Sequence, residues 1–237
     1  MSWHLERMAA FDTETTGPNP ETARIVSAAI IGVGGGKPTD PATWLVNPGV
    51  EIPAEAAAIH GITTERAVAE GMEAKQAVEE TATILASYIE DRTPIVAFNA
   101  RFDLTLLDRE CRRHGLVPPT ERSLHPPLVI DPYVIDKQLA RRKGKRTLTA
   151  QCEHYGIVLG DDAHDATADA LAGARLAYKL ACRYPGNLQV RLKDLHGLQQ
   201  SWAHDQAVSL QAYFRRTDPD AVVEGAWPLV PYTGGES

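Results

Sequence analysis

Cysteine is scarce in this chain, with three in 237 residues, at positions 111, 152 and 182. An odd, widely spaced set suits neither a disulfide framework nor a zinc site, and it fits a reducing compartment. Long apolar runs are missing as well. None approaches the roughly 20 residues of a membrane span, and Met1-Ser2-Trp3-His4-Leu5-Glu6-Arg7 lacks the apolar stretch of a signal peptide. Together these absences predict a soluble, cytoplasmic protein. An excess of positive charge is also lacking: 24 Lys and Arg face 31 Asp and Glu, a net charge of −7. That balance excludes a protein that holds nucleic acid by bulk electrostatics. What is present, 43% hydrophobic and 23% charged residues, is enough to build a core and is unlike a disordered composition.

The charge is unevenly distributed. Residues 1–90 carry 13 acids and 5 bases, whereas residues 91–237 carry 18 acids and 19 bases. Within the second part, Lys137, Arg141, Arg142, Lys143, Lys145 and Arg146 form a basic run with no acid after Asp136. Such a run is commonly a solvated loop. It also offers phosphate contacts, with Arg141, Arg142 and Lys143 as the candidates.

The apolar pattern predicts strands at 8–12, 24–33 and 43–46, joined by short turns that favour antiparallel pairing. Gly34-Gly35-Gly36 reads as the turn between the second and third strands, with no following helix to make it a dinucleotide loop. A helix is expected over 74–90, a buried strand over 93–98, a helix over 102–114 stopped by Gly115, and a strand over 128–130. Helices near 147–155 and 165–183 follow. These elements predict a mixed α/β fold with five strands flanked by helices. Tyr184-Pro185-Gly186 marks a boundary, dividing 1–184 from a helical extension and irregular tail over 185–237. The apolar stripe of that extension suits packing against the domain, a homodimer contact or docking to a partner.

Asp12 and Glu14 end the first strand. Residues i and i+2 of an extended chain project from one face, so both carboxylates can point at one spot, an arrangement a divalent cation makes tolerable. Asp103 begins a helix after the fourth expected strand, and Asp169 lies on the helix before the boundary. His164 precedes Asp169 by five residues, so the two share a site only if His164 lies in the lead-in to the helix. Each has an ordinary reading when taken singly: a solvated pair, a helix-dipole charge, a surface imidazole. Together they place four acids and one His at element ends, where open α/β sheets build their sites. Hard oxygen donors without cysteine select Mg2+ or Mn2+. Two such ions would stabilise an in-line phosphoryl displacement, and a neutral His can take a proton from water.

Phe11-Asp12-Thr13-Glu14-Thr15-Thr16-Gly17, Asn99-Ala100-Arg101-Phe102-Asp103 and His164-Asp165-Ala166-Thr167-Ala168-Asp169 resemble, in order and spacing, the three motifs of the DEDDh 3′–5′ exonucleases. The resemblance covers about residues 6–183. It implies a ribonuclease H-like fold and release of nucleoside 5′-monophosphates from a 3′ end. It further implies that Asp12, Glu14, Asp103 and Asp169 ligate two Mg2+ or Mn2+ ions, with Asp12 bridging and His164 as general base. A Tyr in place of His164 would mark the sister subfamily. Ala58-Ile59-His60-Gly61-Ile62-Thr63 is similar to the family segment that packs on the terminal nucleotide, which nominates Ile59 and His60. By the same resemblance Thr15 and Thr16 approach the 3′ end, Phe102 lies against the last sugar or base, and Asn99 supports the site. Asp131 takes a position often acidic in the family, either beside the site or structural.

The expected substrate is a single-stranded or frayed 3′ end of DNA. The alternatives are RNA or oligoribonucleotides on the same fold, a phosphoesterase for nucleotides, and a non-catalytic nucleic-acid-binding scaffold. A scaffold has no need of four converging acids. A polymerase is the implied macromolecular partner, docked through the C-terminal helices.

Overall fold

The structure, a computed structural model, describes residues 2–140, 142–160 and 165–234. Three strands open the chain: β1 (Met8–Thr15), β2 (Ile25–Val33) and β3 (Asp40–Asn47). β1 and β2 pair antiparallel from Met8 opposite Val33 to Glu14 opposite Ser27, and β3 adds antiparallel to β2. Two short helices follow, α1 (Ala54–His60) and α2 (Thr64–Glu70), then the two-residue strand β4 (Met72–Glu73) and the long helix α3 (Ala74–Glu90). Next come β5 (Ile95–Val96), α4 (Ala100–Arg113), α5 (Pro119–Arg122) and β6 (Val129–Ile130). The chain then runs through α6 (Pro132–Leu139), α7 (Leu148–His154), α8 (Ala166–Arg183), α9 (Pro185–Leu188) and α10 (Leu192–Phe214).

The strands form one mixed sheet in the order β4-β3-β2-β1-β5-β6, six strands rather than the expected five. The additional strand is β4, which pairs parallel to the end of β3 through Val46 and Asn47. Two residues carry no readable period. What admits them is Gly71, where a Cβ would come within 2.4 Å of the Ala67 carbonyl oxygen and 2.6 Å of the Asn47 nitrogen. α1 and α2 also escaped the sequence pattern, because Ala54–His60 is mostly alanine with no apolar stripe.

Alternation along β1 and β2 sorts the core into two layers. Ala9, Phe11, Ala28 and Ile30 pack with Leu85 and Ile89 of α3 and Leu106 and Leu107 of α4. Ala10, Ala29 and Ile31 turn to the other face, against Ala166, Ala170 and Ala174 of α8. That four-residue spacing of alanines lets α8 approach the sheet closely. The C-terminal segment packs back on the same body: Leu188 and Leu195 are buried beside Trp3 and Leu180, and the Trp3 indole donates to the Leu188 carbonyl at 2.6 Å.

The outer edge of β6 is closed by side chains of α10. The Val129 N–H donates to His196 Nδ1 at 3.1 Å, Gln199 Nε2 donates to the Val129 carbonyl at 2.9 Å, and the Asp131 N–H donates to Gln199 Oε1 at 2.7 Å. An edge strand normally leaves such groups unpaired. Among the described residues no helix is long and apolar enough to cross a membrane, and all three cysteines are free.

Candidate active site

The alternation that sorts the core also places the acids. Asp12 and Glu14 share the face of Ala10, so they project toward α8, where Asp169 sits in the first turn. Carboxylate oxygens of Asp12, Glu14 and Asp169 all lie within 4.8 Å of one another. Thr13 projects to the opposite face, toward α4, where it meets Asp103. The Asp103 Oδ1 accepts from the Thr13 N–H at 3.1 Å and from its hydroxyl at 2.6 Å. Asp103 is buried in the first turn of α4.

Burial first, and mutual repulsion after it, oppose ionisation of Asp12 and Glu14. Burial, then Asp103, Asp169 and Glu14, hold the Asp12 carboxyl well above the usual carboxylate range. Glu14 is pushed up to about 8 by burial and by Asp169, Asp103 and Asp165. Asp103 is pushed up to about 7 by burial, against the Thr13 hydrogen bonds that favour its ionised form. A cluster of hard oxygen donors that resists ionisation fits divalent cations, which supply the opposing charge. The residues present therefore suit a hard divalent cation.

The remaining sequence candidates divide into those near this cluster and those held elsewhere. Thr15 ends β1 at an irregularity in its pairing, and its hydroxyl donates to the Gly17 carbonyl at 2.9 Å. Thr16 closes the same turn: its N–H donates to the Arg24 carbonyl at 3.0 Å and its Oγ1 accepts from the Arg24 N–H at 2.9 Å. His60 faces the Thr15 backbone, and burial lowers its imidazole from the ordinary value despite that contact. Ile59, beside it on α1, is 59% exposed. Phe102 lies half-buried against the core on the first turn of α4. His164 and Arg141 lie outside the described residues.

Asn99 takes the left-handed conformation (φ 62°, ψ 47°) just before α4, a backbone region Asn tolerates better than most residues. Its N–H donates to Asp131 Oδ1 at 2.9 Å, and the Ala100 N–H donates to Asp131 Oδ2 at 3.0 Å. The same carboxylate caps α6 through the Tyr133 N–H and accepts from the Trp227 indole at 3.1 Å. Burial raises Asp131 to about 6, with those donors working the other way. Asp131 is thus a structural junction that aims α4. The sequence signal for it is an Asp-Pro pair opening a helix, since Asp caps and Pro suits the first helical position.

In the basic run, Arg142 is committed inside the protein. Its Nη2 lies 2.9 Å from Asp136 Oδ2, Arg146 pairs with the same carboxylate, and the Tyr155 hydroxyl donates to it at 2.7 Å. Lys143 and Lys145 are exposed.

A family model described as Exonuclease matches residues 9–177, which contain all four acids. The chain belongs to the exonuclease family. A DNA polymerase III subunit epsilon-like protein of Rhodobacter capsulatus is 32% identical over 174 residues, 72% of this chain and 23% of that protein. Escherichia coli exonuclease I, solved with a dT13 oligonucleotide, superposes with a TM-score of 0.67 at 21% identity over 78% of this chain and 43% of its own. A moderately thermophilic exonuclease I from Methylocaldum szegediense gives 0.60 at 24% identity, over 76% and 41%. The chain therefore spans less than half the length of these relatives. As an exonuclease-family member it carries the expected ribonuclease H-like architecture, and the family read from the three motifs is borne out.

Two contributors lie inside the motifs without being acids of the cluster. Alternation puts Thr13 on the opposite face of β1 from Asp12 and Glu14. Asp165 opens α8. Its side chain caps α8 by accepting from the Thr167 N–H at 2.8 Å, and its charge adds to the repulsion on Asp12 and Glu14.

Proposed function

We propose that this exonuclease removes nucleotides from the 3′ end of single-stranded or frayed DNA and releases nucleoside 5′-monophosphates. The observation that carries the reading is the convergence of the Asp12, Glu14 and Asp169 carboxylates within 4.8 Å. Asp103 is held beside them by Thr13. Two divalent ions, Mg2+ or Mn2+, would be held by these four acids, with Asp12 shared. When bound, such ions stabilise the charge on the attacking and leaving oxygens of an in-line displacement.

The chain's own residues do the rest. Thr13 fixes the Asp103 oxygen, and the Thr15–Thr16 turn, closed on Gly17 and Arg24, presents a rigid backbone to the 3′ end. Ile59, His60 and Phe102 offer an apolar seat for the terminal sugar and base, and Asn99 supports α4 from behind. His164 takes the proton from the attacking water. The dT13 bound to the E. coli neighbour supports single-stranded DNA as the substrate class. The epsilon-like relative supports a polymerase as partner. Leu198, Val208 and Tyr213 of α10 are exposed where it, or a second copy, would dock. Three free cysteines support a cytoplasmic location.

The test offers end-labelled single-stranded DNA, duplex DNA and RNA to the protein with Mg2+, Mn2+ or EDTA. Shortening from the 3′ end that requires metal is expected, fastest on single-stranded DNA. Rates that persist in EDTA overturn the reading, and faster degradation of RNA reassigns the substrate to oligoribonucleotides.

A further inference from the structure

On the far side of the turn that opens α4 lies a cavity of about 610 Å3, distinct from the acid cluster. Its walls come from residues 98–101, α6, the loop 145–147 and the C-terminal α10 with its tail. Seven of its seventeen lining residues lie beyond residue 177, outside the segment matched by the family model.

The chemistry of the walls is unusual for a gap between helices. Arg101, Lys137, Lys145 and Arg146 all line it. Arg146 shares the Asp136 carboxylate with Arg142, and among the described residues neither Lys137 nor Lys145 has a carboxylate partner. Arg101 donates to the Glu224 carbonyl, a contact that leaves its charge uncompensated. The Lys137 ammonium sits 5.6 Å from the Tyr133 ring centre, and Tyr133 packs edge-on to Phe98 at 5.7 Å. Two acids also line the cavity. Their oxygens are satisfied by neutral donors, Asp131 by the Asn99, Ala100 and Trp227 N–H groups and Glu224 by the Ala226 N–H at 2.6 Å, so the lining sets four cations against two acids.

Cations without a carboxylate partner beside aromatic rings are what a nucleotide requires, phosphate on the first and base on the second. We propose that this cavity binds a nucleotide of the substrate strand upstream of the 3′-terminal one, with its phosphate on Lys137 and Lys145 and its base against Tyr133. The proposal rests on the exonuclease reading above. The cavity and the acid cluster share one short segment: Asn99 and Arg101 line the cavity, and Asp103, in the first turn of the same helix, belongs to the acids.

The test separates the two readings by measuring binding without catalysis. A dye-labelled oligothymidine of eight residues is titrated in EDTA against the full chain, against Lys137→Met/Lys145→Gln, and against Lys145→Glu, which alters only an exposed side chain. Lys37→Gln, on the β2–β3 turn, controls for bulk charge. Both cavity variants should bind at least about tenfold more weakly, and the double variant should lower the slope of log K against log salt by about 0.7, one phosphate's worth. The control should match wild type. Equal affinity in all proteins, no binding by wild type, or an equal loss in the control overturns the cavity assignment. If cavity variants lose binding while wild type fails to shorten the oligonucleotide with Mg2+, the cavity stands and the exonuclease activity falls.

Discussion

Thr13 donates twice to a single oxygen of Asp103, from its N–H at 3.1 Å and its hydroxyl at 2.6 Å. β1 thereby serves the site with both faces: Asp12 and Glu14 look to α8 while the residue between them steers an acid on α4. Thr13→Val keeps the shape and removes the hydroxyl. Hydrogen bonds to charged groups are worth about 1.5–3 kcal/mol, so we expect kcat to fall at least tenfold with KM little changed. A fall in KM alone, or wild-type kcat, contradicts this role.

The crowded acids make the metal-free protein sensitive to pH. Glu14 near 8 and Asp103 near 7 hold protons more tightly when folded than the unfolded chain does. Between about pH 4 and 8 the folded state therefore binds more protons, and stability falls as pH rises. In EDTA, Tm should drop from pH 5 to pH 8.5, and Mg2+ should restore it at the higher value. Each kcal/mol relieved corresponds to roughly 2–4 °C in a domain of this size. Glu14→Gln should flatten the profile while reducing turnover by orders of magnitude. A flat wild-type profile would contradict the mutual repulsion.

Within the basic run, the structure separates two kinds of cation. Arg142→Gln removes a partner from the buried Asp136 carboxylate and should cost about 1–3 kcal/mol in chemical unfolding. Lys143→Gln touches an exposed side chain, so it should leave stability intact and, if Lys143 meets phosphate, raise KM at low salt. Reversed effects on stability would refute the division.

Gln199 tests whether the C-terminal extension belongs to the core. Gln199→Leu strands the Val129 carbonyl and the Asp131 N–H, at about 1–3 kcal/mol for each buried group. Removal of residues 185–237 exposes Leu180 and the β6 edge and should give insoluble protein. A soluble, active 1–184 fragment would show that the packing is dispensable.

The parts legible in the sequence are those with a period or a motif. β1, β2, α3, α4 and α8 follow from alternation and helical spacing, and the acids from their positions at element ends. β4, α1 and α2 are too short or too alanine-rich to declare a period. The neutralised side of the basic run was hidden because Asp136, its last preceding acid, turned inward to collect Arg142, Arg146 and Tyr155. The junction at Asp131 joins residues 32 and 96 positions away, and no local pattern encodes such a meeting.

That junction also orders events in time. A chain made from its N-terminus presents Asn99 and Ala100 to Asp131 early, Gln199 much later and the Trp227 indole last of all. Until the tail emerges from the ribosome, the carboxylate lacks its final donor and the seat of α4 is incomplete. The nascent protein would thus carry every acid of its site well before the last of these donors could hold the seat of α4 in place.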